Sequence, residues 1–135
     1  MLTHYIKTYP LGLLVTLAIL VLSLAPIPEV SAVEDVPLAD KWTHMVMYAT
    51  LTLTIWWQYL RSHKCICWRR LIVFGVLAPA AWGGLMELAQ AYLTTYRSGD
   101  WWDFVANSIG VVIGVVLGLA MRVKVGGRDN KLNAQ

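Results

Sequence analysis

A chain of 135 residues that is 58% hydrophobic and only 14% charged, with a mean hydropathy of +0.57, carries more apolar surface than a soluble domain of this length can bury. The surplus has to face lipid, and the length accommodates one compact domain, residues 1–135, with little room for a separate soluble module. The formal net charge of +3 and the pI near 9.0 do not indicate a nucleic-acid partner, because the basic residues flank apolar runs instead of lining one soluble face.

The first apolar run, residues 11–24 (LGLLVTLAILVLSL), is uncharged and extends to Tyr9 and Ala25, which approaches the roughly 17 to 25 residues a spanning helix needs. Lys7, this run and Val30-Ser31-Ala32 also imitate a secretory signal with a small-residue cleavage site, so the pattern alone leaves retention and removal of the first span both open. The second run, 42–60, carries one ionisable residue, His44, near its start. A basic loop with Cys65 and Cys67 follows; cysteines so close are poorly placed for a mutual disulfide and read as reduced thiols. The third run, 71–93, carries Glu87 toward its end and contains Pro79, which predicts a kink that neighbours must accommodate by satisfying the freed carbonyl. The fourth, 103–121, has its only charge, Asp103, at its first residue, and a basic tail, 122–135, follows.

These runs predict an all-α membrane protein, four transmembrane helices in a compact bundle with spans at about 9–25, 42–60, 71–93 and 103–121. Lys7, Arg61, Lys64, Arg69, Arg70, Arg122, Lys124, Arg128 and Lys131 fall on one side of those spans. Glu29, Glu34, Asp35, Asp40, Glu87, Asp100 and Asp103 fall on the other, with Asp129 as the exception. By the positive-inside rule the N- and C-termini are cytoplasmic, and loops at about 26–41 and 94–102 face outward. Trp42, Trp56, Trp57, Trp68, Trp101 and Trp102 are read as interface markers, and His4 and His63 as ordinary residues near the cytoplasmic ends.

The polar residues of the outward side are the candidate site. Asp40, His44 and Tyr48 are spaced by four and share a helical stripe, with Lys41 beside them. Glu87 and Gln90 stack near the outer end of the third span, and Arg97, Asp100, Asp103 and Asn107 lie in the loop and first turns that follow. A buried carboxylate such as Glu87 costs several kcal/mol unless Arg97, His44 or Lys41 partners it, so an ion-paired plug that fixes helix register is one reading. The full set exceeds what register requires: His44 and Glu87 are candidate general acid and base, Asp103 a group to orient a nucleophile or a metal, and Lys41 and Arg97 an anion clamp. His44, Glu87 and Asp103 make a thin metal set, since the imidazole is better read as paired with Asp40 or Tyr48, and the residues leave the cofactor unknown. Gly110, Gly114 and Gly118 form a smooth stripe where another helix can approach, and Gly83 and Gly84 suit the same role on the third span.

Ser23-Leu24-Ala25-Pro26, Asp40-Lys41-Trp42-Thr43-His44 with Tyr48, Glu87-Leu88-Ala89-Gln90, and the stretch from Arg97 through Gly110 with Gly114 occur in an order and at spacings that resemble the VanZ-like family of small bacterial membrane proteins. The resemblance covers about residues 11–119 and implies a four-helix domain of the bacterial cytoplasmic membrane whose first span is retained. It further implies a link to glycopeptide (teicoplanin) antibiotic resistance. The function expected on this footing is binding, with or without modification, of a lipid or lipid-linked precursor headgroup of the cell envelope at the outer membrane surface. Non-catalytic sequestration, or an accessory or scaffold role with a homo-oligomer formed through the glycine stripe, is the alternative.

Overall fold

The computed structural model describes residues 7–25, 37–63, 65–95 and 99–132, with 123–132 as backbone alone. All regular structure among them is helical: α1 (Pro10–Leu24), α2 (Ala39–Ser62), α3 (Trp68–Leu93) and α4 (Trp101–Leu132). The helical expectation holds, and α2, α3 and α4 run past the expected spans while α1 stays within its own. α2 starts at Ala39, so that Asp40 and Lys41 lie in its first turn, and the backbone of α4 continues through most of the basic tail.

α1 has 15 residues, about 22 Å at 1.5 Å per residue, and Pro10 sits in its first turn, where a missing N–H costs nothing. Its two ends are satisfied by side chains from other helices. The Gly12 N–H, one of the donors a helix start leaves unbonded, donates to Gln58 Oε1 at 2.8 Å. At the far end Gln90 Nε2 donates to the Ser23 carbonyl at 3.0 Å. Gln90 therefore ties α3 to α1, a correction to its placement with the outward polar cluster.

At the expected Pro79 kink the helix continues but departs from regular α geometry. A π-helical turn, Val73–Leu77, precedes the proline, and the carbonyl that Pro79 cannot bond is that of Gly75, four residues earlier. Trp56 Nε1 donates to this carbonyl at 3.1 Å. Gly75 makes room for the indole, since a Cβ there would lie 2.7 Å from Trp56 Nε1. Trp56 is 2% exposed and is not an interface marker; Trp42, Trp57, Trp68, Trp101 and Trp102 do keep exposed faces. Trp56→Phe is expected to strand the Gly75 carbonyl and cost about 1–3 kcal/mol. Thermal unfolding in detergent should show a clear drop in midpoint for it, against almost none for Trp57→Phe.

α2 and α4 pack closest, and the glycine stripe is the reason. A Cβ on Gly114 would stand 2.6 Å from Thr52 Cβ and 2.8 Å from the Ala49 carbonyl, one on Gly118 would stand 2.6 Å from the Trp56 ring, and one on Gly110 would collide with the Met45 carbonyl. The helix that this stripe admits is α2 of the same chain. Ile19, Tyr48, Leu51, Met86 and Val111 form the main core cluster, and Trp56, Tyr59 and Leu71 a second.

α3 and the Trp101–Arg122 part of α4 are long and apolar enough to cross a membrane. Only 33% of each apolar window is buried, whereas a core helix of a soluble protein would be covered on most sides. Leu14, Leu17, Val21, Phe74, Leu77, Leu88, Val112 and Val116 all point outward. Cys65 and Cys67 are free, exposed thiols.

Candidate functional site

Three helix ends converge at one depth: the first turns of α2, the last turns of α3 and the start of α4. Asp100 places the last of these by capping it. Its carboxylate accepts from the Trp102 N–H at 3.0 Å and its carbonyl from the Asp103 N–H at 3.0 Å, the usual way an aspartate satisfies orphan donors at a helix start. Gly99 lets this loop lie on α3, because a Cβ there would come within 2.5 Å of the Glu87 carbonyl oxygen.

Around that junction His44, Glu87, Asp103 and Asn107 are all buried. Asn107, fully covered at 0% exposure, bridges the other helices: its Nδ2 donates to Glu87 Oε1 at 3.1 Å, and its Oδ1 lies 3.0 Å from His44 Nδ1. With Glu87 ionised, turning the amide over would set its oxygen against the carboxylate, and the orientation found avoids this. An amide oxygen only accepts, and His44 Nδ1 must therefore carry a hydrogen. His44 Nε2, on the far side of the ring, has as its nearest charged neighbours Asp40 Oδ1 and Asp103 Oδ2, at 3.6 Å each.

Lys41 closes the outer edge. Its Nζ lies 2.8 Å from Asp100 Oδ2, 3.5 Å from Asp40 Oδ2 and 2.6 Å from Asp103 Oδ1, the last an ion pair by distance that is off-axis for a hydrogen bond. The hydrogen bond to Asp100, and then the close Asp103 carboxylate, hold the Lys41 ammonium above its ordinary pKa. The same bond from Lys41, with the Trp102 N–H, holds Asp100 below the usual carboxylate range.

The expected residues Asp40, Lys41, His44, Glu87, Asp100, Asp103 and Asn107 thus meet, with Asp40 half-exposed at the rim. Tyr48 sits one turn below His44, wholly buried, and its hydroxyl makes no hydrogen bond among the described residues; the imidazole pairs with Asn107 instead of Tyr48. Arg97 lies outside the described residues. What the polar pattern did not signal is an apolar cleft of about 470 Å³ between α3 and α4, lined by Gly84, Leu88, Ala91, Trp101 and Phe104, with Glu87 and Asp100 also on its wall. Its residues read as ordinary helix faces until the two helices are set side by side.

No protein-family model and no solved structure matches the chain. It is similar to an uncharacterized protein of Schizosaccharomyces pombe, 34% identical over 85 residues that cover 62% of this chain and 49% of the yeast protein. The chain spans about half the length of that relative.

Proposed function

We propose that the chain is a four-span integral membrane protein of the VanZ-like kind, with both termini on the positive, cytoplasmic side, that holds the polar headgroup of a membrane lipid or lipid-linked precursor where α2, α3 and α4 meet. One observation carries this reading. The apolar cleft between α3 and α4 shares Glu87 and Asp100 with the charged cluster, so space suited to a lipid chain adjoins groups suited to a headgroup. The residues that carry the family resemblance, Asp40, Lys41, His44, Glu87, Asp100, Asp103 and Asn107, are the ones in that cluster. α2 contributes 24 residues, about 36 Å, which suffices to span, and α1, tied in at both ends, completes the bundle.

Lys41 is the described cation that can clamp a phosphate or carboxylate, and Arg97 is assigned the same role by its place in the motif. His44 and Glu87, held in place by the Asn107 amide between them, are the groups that would take or give a proton if the bound headgroup reacts. The relative being a yeast protein, the ligand is defined by headgroup chemistry and not by a bacterial envelope; where the envelope is bacterial, a lipid-linked wall precursor fits that chemistry and the glycopeptide link.

The test is native mass spectrometry of the full chain released from mixed anionic and zwitterionic lipid. Retention of phosphate-bearing anionic lipid over zwitterionic lipid by about tenfold is expected, the worth of one charge-assisted contact. Lys41→Gln should erase the preference and Lys41→Arg should keep it. Equal retention of both lipid classes by the unaltered protein would remove the headgroup reading.

A further inference from the structure

We propose that Asp40, His44 and Asp103 bind a divalent first-row metal cation, Zn²⁺ first among them. One ligand atom from each residue lies within 4.8 Å of the others. His44 Nε2 is 3.6 Å from Asp40 Oδ1 and 3.6 Å from Asp103 Oδ2. That is too long for hydrogen bonds, yet it is close to the separation of roughly 3.4 Å between ligands held tetrahedrally at about 2.1 Å from a zinc ion. An imidazolium N–H would draw one oxygen to hydrogen-bond length; two equal, longer approaches suit a cation lying between the three atoms.

The surroundings support the same assignment. Because Asn107 Oδ1 holds the hydrogen of Nδ1, a neutral ring turns its lone pair toward the two carboxylates. Glu87 in turn accepts from Asn107, so the ring is oriented by a hydrogen-bonded pair behind it, the arrangement that metal-binding histidines use. His44, 97% covered with 3% exposure, has no hydrogen-bond partner for Nε2 among the described residues. Asp40 Oδ1 and Asp103 Oδ2 face the ring, while Lys41 lies against the other oxygen of each carboxylate. Asp40 at the half-exposed rim provides the route of entry.

This set differs from the expected His44, Glu87 and Asp103. Glu87 Oε1 lies 3.6 Å from Nδ1, on the protonated side of the ring, and Asp40 takes its place. Imidazole with two carboxylates suits Zn²⁺, and also Mn²⁺ or Fe²⁺. Three protein ligands leave coordination positions open, which phosphate oxygens can fill. That last step alone rests on the headgroup reading.

The probe is Co²⁺, added to chelator-stripped full-length protein in detergent, with Cys65→Ser and Cys67→Ser to silence the exposed thiols. Visible absorption bands saturating at about one ion per chain, and displaced by Zn²⁺, are expected. Asp40→Asn, at the rim where loss of a carboxylate is easily tolerated, and His44→Gln should each weaken binding at least tenfold. Asp100→Asn removes a charge of the same sign but no ligand, and should weaken it far less. Absent bands, or Asp100→Asn and Asp40→Asn weakening binding equally, would overturn the site. Inorganic phosphate should tighten Co²⁺ binding; if it does not while the bands persist, the cation site stands and only its coupling to a headgroup falls.

Discussion

Gly110→Val should leave almost no folded protein. The added side chain would meet the Met45 carbonyl and the Ala49 amide nitrogen, both backbone, and helical backbone cannot step aside the way a flexible side chain does. The α2 and α4 axes would have to separate, opening the main core and the polar junction together, so the expected loss exceeds about 4 kcal/mol, the range reserved for gross overpacking. Gly84→Ala is the contrast: its methyl would meet only the Phe104 ring edge at 3.3 Å, a side chain on the open cleft wall, and the cost should stay near or below about 1 kcal/mol. Size-exclusion profile and thermal midpoint in detergent read both. The result also discriminates between uses of the glycine stripe. A homo-oligomer built on Gly110, Gly114 and Gly118 predicts that Gly110→Val gives a stable monomer, which would sink the packing described here.

Asn107→Leu is expected to be nearly as damaging for a different reason. Leucine keeps the branched skeleton and heavy-atom number of asparagine, although its methyl groups are bulkier, and the Nδ1 hydrogen of His44 and Oε1 of Glu87 lose their shared partner inside the protein. Leaving buried polar or charged groups uncompensated costs about 3–5 kcal/mol. The diagnostic is non-additivity. Adding Glu87→Leu to Asn107→Leu removes one of the stranded groups, so the double variant should be more stable than the sum of the two single losses predicts by about 1–3 kcal/mol. Strict additivity in thermal or denaturant unfolding would mean that the bridge does not exist as described.

These two positions show how differently the sequence signals packing and chemistry. Gly110, Gly114 and Gly118 at intervals of four announce a close helix contact, but any helix of this chain or of a second copy could have filled it. Asp40, His44, Glu87, Asp103 and Asn107 sit at helix ends on the same side of the expected spans, and that common depth is a local property, fixed by the 1.5 Å rise along each helix. Depth and face could therefore be read residue by residue, as could the weak point at Pro79.

Rotation about each helix axis and the pairing of one face with another are not local. Gln90 shares a stripe with Glu87 closely enough to be grouped with it, yet packing turns it to the Ser23 carbonyl of α1. Trp56 has the amphipathic ring of an interface residue, and only the freed Gly75 carbonyl across the bundle makes it a core donor. Asp40 and Glu87 are both carboxylates near one imidazole, and the side of the ring each occupies depends on Asn107 reaching across from α4. That apolar helices would form, with their polar ends at a shared level, was legible in the residues alone, because periodicity and transfer cost act within each segment. Which atoms meet was decided by the tertiary structure, because hydrogen bonds and steric contacts between segments distant in the chain exist only once α2 and α4 have closed on their glycines.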